Sequence, residues 1–373
     1  MKVLFCTNAF ENVTNGPAKF ANLILEINRR YPQHQVRVLT EDVGEERLRA
    51  SGDLYKVQLR IPRLLKPLGQ FLRMFQYYRR VRAIAREYDY DLLVFNNAFT
   101  GLYASWVSPK PTVGMINDEK NLTAGWASFT PDRWWLKQFL FRQLERWSTR
   151  SHRLIIVNSE YLQRKVTAAY RVPAARVRRL YKAIDLSGTV FRPGRPFGSP
   201  VRVLFVKADY RVGQLALLIK ALASLPEYQF ALTVIGPEPR FRDHVLSLAA
   251  GVANVRLDCA GPQPQRVVYD CLGTHDLFCV PSRTEALGVA NIEALAHGIP
   301  VVSTHVGGIP EVLDYGRNGW LAQPGDVGSL AAAIRECITD PAKRQRLSEN
   351  GHTFVARFSK TEMLDQFVRI LSL

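Results

Sequence analysis

Cysteine, acidic residues and long apolar runs are all scarce in this chain, and each shortage closes off a class of protein. Five cysteines (Cys6, Cys259, Cys271, Cys279, Cys337) are scattered through 373 residues, with no C-x-x-C pair and no clustered histidines. That spacing argues against a disulfide scaffold or a structural zinc site. Cys6 and Cys279 lie in apolar runs, where a cysteine acts as a small core residue, so a reducing cytoplasm is the expected setting. No apolar run reaches the length of a membrane span. The segment Met1–Cys6 has no signal peptide's apolar region or cleavage site and reads as a buried first strand. Acidic residues number 33 against 50 lysines and arginines, a formal charge of +17. That excess points to nucleic acid, an anionic membrane surface or phosphate-rich ligands. No zinc-finger, RNA-recognition or helix-turn-helix pattern accompanies it, so nucleic acid is not an expected partner.

A hydrophobic content of 47% is enough for buried cores, and the length suits two domains better than one. Short β-branched or apolar runs alternate with amphipathic helical patterns, the rhythm of parallel sheets with helices on both faces. Strands are expected at Lys2–Thr7, Gln35–Thr40, Tyr55–Ile61, Leu92–Phe95, Thr112–Ile116 and Leu154–Val157. In the second half they are expected at Arg202–Val206, Phe230–Ile235, Val255–Leu257, Leu277–Val280 and Val301–Ser303. Between the halves, Ser187 to Pro200 holds three prolines and three glycines in fourteen residues. Neither a helix nor a central strand tolerates that, so it reads as a linker.

The most informative stretch runs from Val280-Pro281-Ser282 through Glu285, Gly288 and Glu293 to Gly298-Ile299-Pro300-Val301-Val302. A strand ends at Pro281, a turn carries Glu285 and Gly288, a helix follows to about Ala296, and Gly298 stops it. Ligands in such sheets sit beyond the carboxyl ends of strands. A bare backbone at Gly288 lets N–H groups approach an anion, and the helix dipole favours negative charge there. Glu293 lies roughly 7 Å farther along the helix. Two acceptors flanking a bare backbone suit a ligand with hydroxyls at both ends and a phosphate between, which is the layout of a nucleotide-sugar. The plainer alternative is a capping glutamate and a solvated helix glutamate.

This stretch resembles the E-x7-E signature of the retaining GT-B glycosyltransferases of family four. Gly307-Gly308-Ile309-Pro310-Glu311 resembles the family's glycine loop, and Gly316 to Leu321 its next turn and strand. Leu232 to Gly236 and Val157-Asn158-Ser159-Glu160 resemble upstream turns. The resemblance implies an α/β GT-B fold of two Rossmann-like domains. It divides the chain into 1–188, joined by a returning helix at 359–373, and 189–358. The implied activity is a retaining, metal-independent transfer with no cofactor, from a nucleotide-sugar (UDP-sugar first, GDP-sugar next) to a glycan, lipid-linked or protein acceptor in cell-surface polysaccharide or glycoconjugate synthesis. Glu285 is then expected to hold the donor sugar and Glu293 the ribose, with backbone amides of Leu287, Gly288 and Val289 on the sugar or diphosphate.

Three features depart from the family pattern. Lys207 fits the slot of a diphosphate-neutralising arginine, but Val212 stands where a lysine is usual, with Arg211 beside it. Asn117-Asp118 replaces a histidine-aspartate pair, leaving Asn117 as a donor contact and Asp118 to orient the acceptor. The loop Thr14-Asn15-Gly16-Pro17 offers one glycine, Gly16, where the family has a glycine-rich loop. These departures keep open an inactive nucleotide-sugar binder or another GT-B chemistry such as epimerisation.

Positive charge gathers in two segments of the first half. Lys56 to Arg86 carries Arg60, Arg63, Lys66, Arg73, Arg79, Arg80 and Arg82 among Leu64, Leu65, Leu68, Phe71 and Phe75. Trp134-Trp135 to Arg153 adds Lys137, Arg142, Arg146 and Arg150. Cations beside exposed aromatics describe a peripheral membrane helix, so docking on the inner face of the plasma membrane is expected, against the plainer reading of solvated helix faces.

Overall fold

The computed structural model describes residues 1–11, 16–61, 69–122, 133–187, 189, 191 and 196–372, with the side chains of 133–135 and 137 left out. Thr14, Asn15, Arg63, Leu64, Leu65, Lys66 and Leu68 therefore lie outside the described residues, as do the side chains of Trp134, Trp135 and Lys137. The chain divides into two compact units, Met1–Tyr181 with Leu364–Leu373, and Lys182–Met363.

The first unit contains strands β1 (Lys2–Thr7), β2 (Gln35–Thr40), β3 (Leu54–Lys56), β4 (Leu92–Phe95), β5 (Thr112–Ile116), β6 (Leu154–Val157) and β7 (Val177–Arg179). They form one sheet in the order β3-β2-β1-β4-β5-β6-β7, and every pair is parallel. The second unit contains β8 (Val201–Val206), β9 (Phe230–Ile235), β10 (Val255–Gly261), β11 (Leu277–Val280), β12 (Val301–Thr304) and β13 (Trp320–Ala322). Its sheet, β10-β9-β8-β11-β12-β13, is also wholly parallel. Each sheet reverses its strand order once, beside its first strand, which is the doubly wound Rossmann arrangement. The central strands are buried along their whole length, as sheets covered on both faces require.

Three local readings change. The run expected to be a strand from Tyr55 to Ile61 leaves the sheet after Lys56. The Val57 amide still donates to Thr40, but the Gln76 side chain takes both backbone groups of Arg60. The short strand β7 was not anticipated, since three residues carry too little alternation to stand out, whereas β13 falls on the strand that the resemblance of Gly316 to Leu321 implied. The domain boundary lies at Tyr181/Lys182, before the expected 188/189. Residues just beyond it belong to the second unit: Ile184 bridges to Ser359, and Lys360 Nζ donates to Asp185 at 2.6 Å. The Pro/Gly-rich segment is likewise fastened there, with Phe191 stacked on His352 at 3.8 Å and Arg344 lying over Phe197 at 4.3 Å.

The Lys360–Leu371 helix runs across the division. Met363, Leu364 and Phe367 are buried, and Phe367 meets Phe20 edge-on at 5.6 Å.

Candidate functional site

In the second unit, β8 and β11 are neighbours at the point where strand order reverses. Each hands the chain to a loop, with Lys207 directly after β8 and Glu285 five residues after β11. Their ammonium and carboxylate form an ion pair with both side chains about a quarter exposed, 24% and 22%. The charges are therefore held together yet reachable from solvent.

The loops beneath them are fastened by backbone contacts. The Gly308 amide donates to the Glu285 carbonyl at 3.0 Å, and the Arg283 amide to that of Val212 at 2.8 Å. Thr304 Oγ1 donates to the Ser282 carbonyl at 2.7 Å and Ser303 Oγ to that of Val280 at 2.8 Å. Glycine is required where the chains press closest: a β-carbon on Gly307 (φ +58°) would lie 1.7 Å from the Glu285 carbonyl oxygen. On the other side, one on Gly236 would lie 2.6 Å from the Lys207 carbonyl carbon. Each charged residue thus rests against a glycine on a neighbouring turn.

The Val289–Ala296 helix begins beside this pair. Gly288, at φ 94° and ψ 53°, stands at its cap and makes no side-chain hydrogen bond to the first-turn amides. Leu287 and Gly288 are buried while Val289 is partly exposed. Glu293 is buried and accepts from Gln265 Nε2 at 2.9 Å. Its charge also helps raise the Tyr269 hydroxyl pKa, although burial is the larger cause. The plainer sequence alternative does not hold in this geometry: Glu285 pairs with Lys207 and does not cap the helix, and Glu293 is not solvated. His297 closes the helix, its Nδ1 2.8 Å from the Glu293 carbonyl, with a pKa lowered chiefly by burial.

Sequence reasoning missed two side chains here. Asn291 is buried beside Gly288, and its Oδ1 has no partner among the described residues. Gln265 reaches Glu293 from another helix. Neither belongs to a charged or glycine pattern, so nothing in the linear sequence marks them. Arg211 is exposed, and its guanidinium lies over the rings of Tyr210 and Phe241, 5.5 and 5.7 Å from their centroids. Asp209 Oδ1 accepts from the amides of Arg211 and Val212 at 3.1 and 3.0 Å, shaping that turn.

In the first unit, polar side chains line the carboxyl ends of four strands. Asn96 Nδ2 donates to Thr7 Oγ1 at 3.1 Å, Asn117 Nδ2 to the Asn96 carbonyl at 3.0 Å, and Asn158 Nδ2 to the Asn117 carbonyl at 2.8 Å. Asn117 is therefore the third member of a row Thr7-Asn96-Asn117-Asn158 that starts at this sheet's own reversal point, between β1 and β4. Asp118 is exposed and accepts from the Lys120 amide at 3.1 Å. Glu145 is held above the usual carboxyl range by burial, with Asp118's charge adding to the effect. Gly16 is exposed at the start of the Gly16–Ile24 helix. A cavity of about 790 Å³, lined by residues including Glu160, Arg164, Arg179 and Arg369, contains none of the expected site residues. Among the described residues, no three His, Cys, Asp or Glu side chains gather as a metal site.

The model of the glycosyltransferase family 4 matches residues 21–187, and that of the glycosyl transferases group 1 matches 190–354. Among curated relatives, a glycogen synthase of Mycobacterium tuberculosis is 28% identical over 222 residues, 57% of this chain and 52% of the relative. A lipopolysaccharide core biosynthesis glycosyltransferase, LpsE of Rhizobium meliloti, is 35% identical over 156 residues, 42% of this chain and 45% of the relative. These matches span about half of each relative's length. Among solved structures, Anabaena Alr3699/HepE in complex with UDP-glucose superposes with a TM-score of 0.73 at 22% identity, covering 100% of this chain and 99% of that one. The lipopolysaccharide outer core galactosyltransferase WaaB gives 0.75 at 17% identity, with 100% and 99% covered. Two family models in succession, over two sheets of Rossmann order shared with these folds, place the chain among the GT-B glycosyltransferases of family four.

Proposed function

We propose that this protein is a retaining glycosyltransferase that takes a sugar from a nucleotide-sugar, UDP-sugar first, and passes it to a glycan or lipid-linked acceptor in polysaccharide or lipopolysaccharide synthesis. The observation that carries the reading is the Lys207–Glu285 pair at the strand-order reversal, resting on glycines, with Glu293 buried farther along the adjoining helix. The relatives add a biosynthetic context, and the HepE complex adds a nucleotide-sugar.

In this reading the diphosphate lies against Lys207 and the first-turn amides near Gly288, where the cation and the helix dipole stabilise negative charge as the anomeric bond breaks. Donor binding separates Glu285 from Lys207: the carboxylate turns to sugar hydroxyls and the ammonium to phosphate. Glu293 accepts from the ribose. The acceptor hydroxyl attacks the anomeric carbon on the face the diphosphate leaves, and the departing phosphate oxygen takes its proton. Charge neutralisation falls to Lys207 and the backbone with no metal. In the first unit, Asn117 is assigned to the donor sugar and Asp118 to the acceptor.

Arg211 favours a second reading. Its cation lies over two aromatic rings and Val212 carries no charge, so Lys207 is the cation at the pair. A protein that binds nucleotide-sugar without transferring it fits that arrangement. A thermal-shift panel of UDP, GDP, ADP and their sugars tests both. Saturation at about a hundred times Kd stabilises by about 2.7 kcal/mol. Release of nucleoside diphosphate that depends on added acceptor supports transfer. Stabilisation without turnover supports the second reading, and no shift with any nucleotide contradicts both.

A further inference from the structure

Three helices of the first unit turn large apolar side chains outward. On Gly69–Ile84, Phe71 and Phe75 are exposed, and Arg79 and Arg82 continue the same stripe at spacings of four and three, with Arg86 just beyond. On Arg133–Ser151, Leu136, Leu140 and Trp147 are each about half exposed, and Arg150 prolongs their line. Between them, Leu102–Val107 presents Trp106, 58% exposed, and Val107.

Direct contacts join these stripes into one surface. Tyr103 meets the rings of Phe75 and Tyr78 at 5.8 and 5.4 Å, and Tyr78 Oη donates to the Val107 carbonyl at 3.0 Å. Trp106 and Trp147 line one open hollow of about 450 Å³ with Arg150 and Ser151. Scattered exposed apolar residues are ordinary, but a contiguous field carrying two tryptophans marks an interaction surface. Among the described residues, Arg79, Arg82 and Arg86 form no ion pair, so their charge is available. Arg80 differs, because its guanidinium donates to the Lys56 carbonyl and lies by the Tyr55 ring.

We propose that this face docks on an anionic lipid bilayer, with Trp106, Trp147, Phe71, Phe75, Leu136 and Leu140 entering the interfacial zone and Arg79, Arg82 and Arg86 meeting lipid phosphates. Charge complementarity selects this occupant. The apolar field is continuous with unpaired arginines on a chain of net charge +17, and tryptophan with arginine is the composition of a membrane interface. Among the described residues no helix is long and apolar enough to cross a membrane, so attachment is to the surface.

The test uses the full chain with vesicles of phosphatidylcholine alone or with added phosphatidylglycerol. Co-sedimentation with the anionic vesicles is expected. It should weaken as salt shortens the Debye length from about 10 Å at 0.1 M to about 3 Å at 1 M. The triple variant R79A/R82A/R86A should bind roughly a hundredfold more weakly, since each arginine near the surface contributes about fivefold. W106S/W147S should lose the tryptophan quenching that brominated lipids produce, with its melting temperature and its nucleotide-induced shift unchanged. Equal binding to both vesicle types, or wild-type binding by both variants, overturns the proposal. So does a concentration-dependent dimer that the tryptophan variant abolishes while vesicles bind nothing.

Discussion

At Gly307 a β-carbon would sit 1.7 Å from the Glu285 carbonyl oxygen, so the position of Glu285 depends on a residue with no functional group. Gly307→Ala should cost about 3 kcal/mol or more, because overpacking adds to an unfavourable φ. Gly316→Ala, at φ +97° with nothing within 4 Å of the added carbon, should cost about 1–2 kcal/mol. Urea unfolding of the two variants checks the contrast, and equal costs would contradict it. Glu285, Glu293 and Gly288 were legible in the sequence because their types and spacing form a pattern. Asn291 and Gln265 were not, since their meaning comes from partners the fold brings near. His152 was hidden for the same reason. Its ring lies buried between Thr112 Oγ1 at 2.8 Å and the Ala98 carbonyl at 3.1 Å, and burial lowers its pKa from 6.5 to about 4. Between those values the unfolded chain binds a proton that the folded chain refuses. Stability therefore falls as pH drops from 6.5 toward 4, by about 3 kcal/mol from this residue, and this residue adds no slope outside that window. The unfolding midpoint of wild type should fall more steeply across it than that of His152→Gln. Parallel curves would contradict the assignment.

Elements read from the sequence fared according to how much of their signal was local. β1, β2, β4, β5, β6, β9 and β11 fall on the expected residues, because buried parallel strands are short apolar runs between turn residues. β3 stops early because the Gln76 side chain captures the backbone of Arg60, an event no periodicity reports. β7 has two arginines among its three residues, which disguises a strand as a loop. The final helix was expected from the family resemblance, and Phe367 on it is 0% exposed. Phe367→Ala should destabilise the protein by about 3–5 kcal/mol. Deletion from Lys360 onward should remove the transition of the first unit altogether. A truncated protein with an unchanged calorimetric profile would overturn that role.

Over the whole molecule, both halves of the sequence repeat one rhythm, and both sheets have the Rossmann order, so the fold was legible before any residue was given a role. Each sheet places polar residues where its strand order reverses: Thr7 and Asn96 in the first unit, Lys207 and Glu285 in the second. Strand order is a property of topology, and the linear sequence alone did not show that Lys207 and Glu285 would meet. That meeting makes a specific demand on donor binding. Because Glu285 holds Lys207 in the free protein, removing the carboxylate releases a cation toward the diphosphate. Calorimetric titration of the nucleoside diphosphate that stabilises the protein, into wild type, Glu285→Ala and Glu293→Ala, with kcat measured alongside, is the most direct test. Glu293→Ala should weaken nucleotide binding by about 1.5–3 kcal/mol, the range for a hydrogen bond to a charged group. Glu285→Ala should bind the nucleotide as tightly as wild type or more so while kcat falls severely, since its contact with the sugar matters most in the transition state. Wild-type binding and turnover in both variants would contradict the assignment of this site.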